Sequence, residues 1–228
     1  MIIKGFGCSF IYGSELADDR YHEPGRFGSR LVWPALLAKD CGYEYNCYAF
    51  AGVGNLYIAE QVLNQCASNN PAIFIINWSF IDRFDYFDPE LKSRLDPDNH
   101  QEWLTCRPHI SISSEETVND LYYRNFHSEY RDKLTTLMSI KICIDTLKQQ
   151  NIKFLMTYMD PLMFDTKWNV SPAVLSMQEY IRPYCTEFNG KNFVEYGRDL
   201  GHQVTHSGHI LESGHQAIFE YVKLHNLV

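Results

Sequence analysis

Short apolar runs alternate with amphipathic segments along most of the chain. This is the pattern of strands buried on both faces, set between helices that carry one apolar stripe. Residues 2–6 (IIKGF) predict a first strand that enters a tight turn at Gly5 and Gly7. Residues 33–41 (WPALLAKDC) predict a helix with Pro34 at its first position and Gly42 as its stop. A second strand is expected over 44–50 (EYNCYAF) and a Gly-rich turn over 51–55 (AGVGN). From Asn55 to about Ser68, Leu56, Ile58, Ala59, Val62, Leu63 and Cys66 recur at helical spacing. Residues 72–78 (AIFIINW) form an unbroken apolar run, the mark of a central strand in a parallel sheet. The clearest helix covers 130–150, with Leu134, Leu137, Met138, Ile140, Ile144 and Leu147 in one stripe. A strand over 152–158, a helix near 174–185, a last short strand at 193–196 and a closing helix from about Ser213 to Leu224 complete the pattern.

Two segments break this rhythm. A polar stretch of roughly 45 residues, from Asp82 to about Glu129, is too long for an ordinary connection and predicts an insertion that shapes a site or acts as a lid. A shorter insertion is expected at about 160–175. The alternation itself predicts a parallel α/β sandwich. With no internal repeat and no linker, residues 1–228 read as a single domain carrying both insertions.

Composition narrows the functional classes. Hydrophobic residues make up 45% and charged residues 21%, which suits a globular core and excludes a largely disordered chain. The net charge of −8 works against phosphate backbones and anionic lipid, so neither nucleic acid nor membrane is an expected partner. The seven cysteines are odd in number and lack a CxxC pair, which predicts reduced thiols. The first ten residues lack the apolar core of a signal peptide, and no apolar run is long enough to cross a bilayer. A cytoplasmic location is therefore expected.

In a sheet of this kind, chemistry gathers beyond the carboxyl ends of the strands, at the switch point of strand order. That rule selects GCSF after the first strand, AGVGN after the second, NWSF after the third, and the His-rich stretch before the last helix. Ser9 follows Gly7 and Cys8, where a turn lifts its hydroxyl into the crevice; its bland alternative is a helix cap. His209 stands just before the final helix and is the residue type suited to activating a serine. Gly52, Gly54, Asn55, Asn77 and Ser79 offer backbone and side-chain donors of the sort an oxyanion hole needs. AGVGN is not a dinucleotide fingerprint, and no GxxxxGK[ST] occurs, so no nucleotide cofactor is expected. His206, His209 and Glu212 repeat every three residues but lack an HExxH frame, so no metal is expected either.

Taken in order, these segments resemble the blocks of the SGNH (GDSL-like) hydrolases. GCSF at 7–10 resembles the first block, with Ser9 as nucleophile and Cys8 where an Asp usually stands. AGVGN resembles the second, with Gly52 as backbone oxyanion donor. HILESGH at 209–215 matches the last, which makes His209 the general base. The resemblance implies an SGNH hydrolase-like fold, a three-layer α/β/α sandwich around a parallel, flavodoxin-like sheet, and ester hydrolysis through an acyl-enzyme without a cofactor. Two departures accompany it. The third block's GxND is replaced by NWSFIDR, which sets Ser79 at the place of the oxyanion Asn. The acid expected three residues before the His is replaced by His206, leaving Asp160 and Asp199 as further candidates to orient His209. Trp103, Tyr122, Tyr123, Phe126, Tyr130 and Trp168 in the insertions suit sugar rings, or else pack the insertions onto the core. The expected substrate is thus a small-molecule or carbohydrate ester, with acetyl as the acyl group. The alternative is an SGNH-type scaffold that binds or supports without turnover.

Overall fold

The structure is a computed structural model that describes residues 1–19, 28–68, 71–88, 103–108 and 117–228. Strands β1 (Ile2–Phe6), β2 (Glu44–Cys47), β3 (Ala72–Trp78) and β6 (Lys153–Tyr158) form a parallel sheet in the order β2-β1-β3-β6. Ile3 lies opposite Tyr45 on one side and Ile73 on the other, and Ile75 lies opposite Leu155. Strand β2 lies on one side of β1 while β3 lies on the other, so the order reverses at the carboxyl end of β1. The chain leaves β1 there to reach Ser9.

Each connection fits its sequence. Helix α2 (Trp33–Cys41) has Pro34 in its first turn, and Gly42 ends it in the left-handed region at φ +68°. Helix α3 (Asn55–Cys66) packs on α5 (Glu129–Gln149), which in turn packs on α6 (Pro172–Ile181). Helix α2 packs on α8 (Glu212–Leu224), and α7 (Phe193–Asp199) joins that pair. These two groups flank the sheet. Between them Phe6, Phe74, Ile75, Ile76, Trp78, Met156, Ile140 and Ile144 are almost wholly excluded from water, each such side chain contributing about 1.5–3 kcal/mol. Lys4 enters this interior on β1 because its ammonium reaches Gln65 Oε1 at 3.0 Å and Ser68 Oγ at 2.8 Å, at the end of α3.

The 82–129 stretch carries its own structure where it is described. Strands β4 (Phe84–Phe87) and β5 (Trp103–Cys106) pair antiparallel, and helix α4 (Val118–Asn125) follows. Thr117 and Asp120 close a capping box at the start of α4. The second insertion is tied down by the buried Lys133 of α5, whose ammonium donates to the carbonyls of Asp165 (3.0 Å) and Lys167 (2.7 Å).

One expected element is wrong in kind. The 193–196 segment (FVEY) is the start of α7, not a strand. Asn192 accepts from the N–H groups of Val194 and Glu195, while the Glu195 carboxylate takes the Asn192 N–H. This capping box overrides the strand preference of Phe, Val and Tyr. All seven cysteines are free thiols, and no described helix is long and apolar enough to cross a membrane.

Candidate active site

Helix α1 (Ser9–Tyr12) is a single turn raised directly on the end of β1. Gly13 ends it at φ +85°, where a Cβ would meet that of Ser29 at 2.3 Å, so only glycine allows the sharp turn that follows. Past that turn lies Glu15, itself at φ +67°. Its loop is held by three carboxylates: Asp19 takes the Glu15 N–H at 2.7 Å, Glu212 the Ala17 N–H at 2.8 Å, and Asp18 the Arg30 N–H at 2.8 Å.

Opposite this loop, residues 204–210 fold back on themselves. Val204 bridges Ile210, and the Thr205 N–H donates to the His209 carbonyl at 2.9 Å. The turn presents the His209 imidazole edge-on to Phe10, with ring centroids 4.8 Å apart. His209 Nε2 lies 2.8 Å from Ser9 Oγ, and its Nδ1 side meets the Glu15 carboxylate. Glu15 also accepts from the hydroxyls of Ser207 and Thr205, the latter at 2.7 Å. These bonds, Ser207's foremost and His209's next, hold the Glu15 carboxyl down to about 2. An ionised carboxylate, an imidazole and a nearly buried hydroxyl therefore stand in line, in the arrangement that activates a serine.

The carboxylate that meets His209 thus comes from the loop after Ser9 and not from the position three residues before His209. None of His206, Asp160 and Asp199 is hydrogen-bonded to His209. Asp160 is buried and caps the chain beyond β6, accepting from the N–H groups of Ile81 (3.0 Å) and Leu162 (2.9 Å). Asp199 pairs with Lys191, and His206 is exposed. Glu212 is occupied by Ala17 and both nitrogens of His209 have partners, so His206, His209 and Glu212 do not gather; among the described residues no cluster of three or more such ligands does.

The oxyanion candidates divide. Tyr48 and Phe50 donate backbone hydrogen bonds to Gly5 and Gly7, which sets the 51–55 loop beside the end of β1. Gly52 turns there at φ +84°, and a Cβ on it would lie 2.7 Å from the Arg107 guanidinium. Asn55 is committed elsewhere: its Nδ2 donates to the carbonyls of Ser79 and Phe80 and to Thr136 Oγ1, and its Oδ1 accepts the Ser79 N–H at 2.7 Å. It ties two crevice loops together and has no donor left for a ligand. Asn77 Oδ1 accepts from Thr157 Oγ1 at 2.8 Å. Its Nδ2 and the Ser79 hydroxyl are buried with no hydrogen-bond partner among the described residues. Cys8 rests its thiol against the Met159 sulfur at 3.5 Å, an apolar niche that has no use for the Asp of the resembled block.

Beneath His209 lies the fully buried His215, its Nδ1 accepting the Trp33 N–H at 3.4 Å. Burial, with the charge of His209 as a smaller cause, drives its pKa down from 6.5 to about 3. The folded state therefore takes the neutral ring, and the stability this gives is complete above about pH 6.5 and lost as pH falls toward 3. Between pH 7 and pH 4 this one residue is expected to remove about 3 kcal/mol. Urea denaturation at the two values measures the loss, and His215→Gln is expected to flatten the slope.

The insertion aromatics are largely consumed by packing. The Tyr122 ring stacks on Phe84 at 4.3 Å and its hydroxyl donates to Asp132. Tyr123 donates to the carbonyls of Asp82 and Cys106. Trp103 stands edge-on to Tyr57 and Phe87, and the Tyr130 hydroxyl lies 3.1 Å from Ser171 Oγ. Phe126 alone of these is largely exposed.

No family model matches the chain, and no curated protein matches it. Solved structures do. The psychrotrophic esterase EstA from a Pseudoalteromonas species superposes with a TM-score of 0.52 at 9% identity, over 97% of this chain and 94% of its own. A member of the lipolytic G-D-S-L family from Veillonella parvula gives a TM-score of 0.49 at 14% identity, over 98% and 96%. The chain has the SGNH hydrolase-like α/β fold that the block resemblance implies.

Proposed function

We propose that the protein is a serine hydrolase of acyl esters in which Ser9 is the nucleophile, His209 the general base and Glu15 the acid. The observation that carries this reading is the unbroken line from Ser9 Oγ through the His209 ring to the Glu15 carboxylate, at the switch point of the sheet. His209 Nε2 takes the Ser9 proton as Oγ attacks the ester carbonyl. The imidazolium that forms is stabilised by Glu15, which is ionised at any working pH. Collapse of the tetrahedral adduct breaks the ester C–O bond, and His209 returns the proton to the departing alkoxide. Water, deprotonated by the same ring, then attacks the acyl-enzyme to release the acid and restore Ser9.

The negative charge on the adduct falls to the N–H groups of Ser9 and Gly52, neither of which donates a hydrogen bond among the described residues. The Ser79 hydroxyl and Asn77 Nδ2, both without partners, are the candidates for a third donor. A carbohydrate as the alcohol half draws less support from the insertion, since Tyr122 and Tyr123 serve packing. The fold relative EstA is an esterase whose structure was solved inhibited by monoethylphosphonate, which makes a phosphonate a natural probe.

Intact mass after incubation with a fluorophosphonate tests the reading. One adduct per wild-type chain, absent from His209→Ala, is the expected result. A folded wild type that takes no adduct would favour the alternative of a non-catalytic binding or structural protein, to which the missing third-block Asn belongs.

A further inference from the structure

The 82–129 insertion grips the Gly-rich loop of the site at three successive residues. Arg107, at the end of β5, lays its guanidinium against the α-carbon of Gly52. Arg83 donates from Nη1 to the Val53 carbonyl at 2.8 Å. Asp85, on β4, accepts the Gly54 N–H on Oδ1 at 2.8 Å and the Tyr57 N–H on Oδ2 at 2.9 Å. A Cβ on Gly54 would sit 2.7 Å from the Asp85 carboxylate, so the close approach needs glycine there.

The energetics favour a fixed loop. Helix α3 starts at Asn55 with Gly54 as its cap residue, and Gly54 has no side chain to accept the free N–H groups of the first turn. Asn55 spends its side chain on the loop after β3. Asp85 supplies the missing cap from another element, its carboxyl accepting at the positive end of a twelve-residue helix while burial pushes its pKa up and these hydrogen bonds oppose the rise. Asp85 is itself held: Thr105 Oγ1 donates to it at 2.5 Å from the paired strand, and it is almost wholly excluded from water. A buried carboxyl accepting three hydrogen bonds has little freedom to move, and neither does the loop attached to it.

We propose that Asp85 is a positioning residue for the Gly52 oxyanion donor, and that the β4–β5 hairpin is part of the catalytic apparatus and not a lid over it. This inference rests on the esterase reading. A backbone N–H stabilises an oxyanion only when it is aimed in advance at the place where the charge develops, and losing one donor lowers the rate by about 10²–10³. A loosened donor is expected to lose part of that.

The test is hydrolysis of p-nitrophenyl acetate and inhibition by phenylboronic acid, whose adduct with a serine places an oxygen in the same hole. Wild type, Asp85→Asn and Thr105→Val are compared, each normalised to active sites titrated with fluorophosphonate. Asp85→Asn keeps the shape but turns an amide N–H toward a backbone donor. It is expected to lower kcat by about 10–100-fold, leave KM within about twofold, and raise the boronate Ki by the same factor as kcat falls. Thr105→Val, a mild isosteric change that removes one of the two donors to Asp85 Oδ1, is expected to shift kcat and Ki together by about 3–10-fold, and it decides the matter if Asp85→Asn does not fold. A lower melting temperature with kcat and Ki unchanged per active site in these variants would overturn the positioning role and leave the esterase reading intact. A wild type that neither hydrolyses the ester nor takes the phosphonate overturns both.

Discussion

Ser9→Ala is expected to lower kcat for p-nitrophenyl acetate by about 10⁴–10⁶-fold while KM stays within a few-fold of wild type. The size of the loss follows from the chemistry. Without Oγ no acyl-enzyme forms, and only oriented binding beside the oxyanion donors remains to speed direct attack by water. The folded state has little at stake, since the Ser9 side chain has one hydrogen bond, to a half-buried imidazole. The melting temperature should therefore move by no more than about 2 °C. Stopped-flow kinetics would sharpen the result: a burst of p-nitrophenolate in wild type, equal to the enzyme concentration, should vanish. Activity within tenfold of wild type in Ser9→Ala would remove Ser9 from the mechanism, whatever the line of side chains suggests.

The second large effect belongs to Glu15. Glu15→Gln keeps the length and the hydrogen-bonding atoms but removes the charge that stabilises the His209 imidazolium, and kcat is expected to fall by about 10²–10⁴-fold. Normalising to active sites titrated with fluorophosphonate distinguishes this from a loss of packing. In wild type Glu15 is held down to about 2 by the hydroxyls of Ser207 and Thr205 and by His209, so it remains ionised from about pH 4 upward. Removing the charge leaves the imidazolium formed in the reaction without its partner, so each titrated site should turn over more slowly in Glu15→Gln. A kcat per titrated site equal to that of wild type would mean that Glu15 shapes the loop without acting on the base.

The sequence announced the scaffold more plainly than the acid. Strands β1 and β3 and helix α2 stand where their apolar runs and their Pro34 and Gly42 boundaries lie. These elements are wholly buried or end on residues with one conformational role, so local pattern and tertiary position agree. FVEY at the start of α7 misled because its side chains prefer strands, while Asn192 and Glu195 decide the backbone. Ser9 and His209 were legible because each sits at a loop the topology selects. Glu15 was not, because the resemblance directs attention to the residue three before the His, and its role depends on a turn at Gly13 that no spacing rule reports. A signal did exist: Glu15 is the only carboxylate in the crevice segment GCSFIYGSEL. Asp85 was beyond reach, since pairing FDYF with WLTC across fifteen or more residues leaves no periodic trace.

The backbone at Glu15 has a practical consequence. Its φ of +67° suits glycine or asparagine, and holding a longer L side chain there costs about 1–2 kcal/mol. Glu15→Gly would relieve that cost, yet it would also remove the carboxylate that accepts from Ser207, Thr205 and His209, contacts that together outweigh it. A variant library ranked by heat resistance alone would therefore keep Glu15 for reasons unrelated to turnover, and only a screen that scores both properties would show one carboxylate serving two ends.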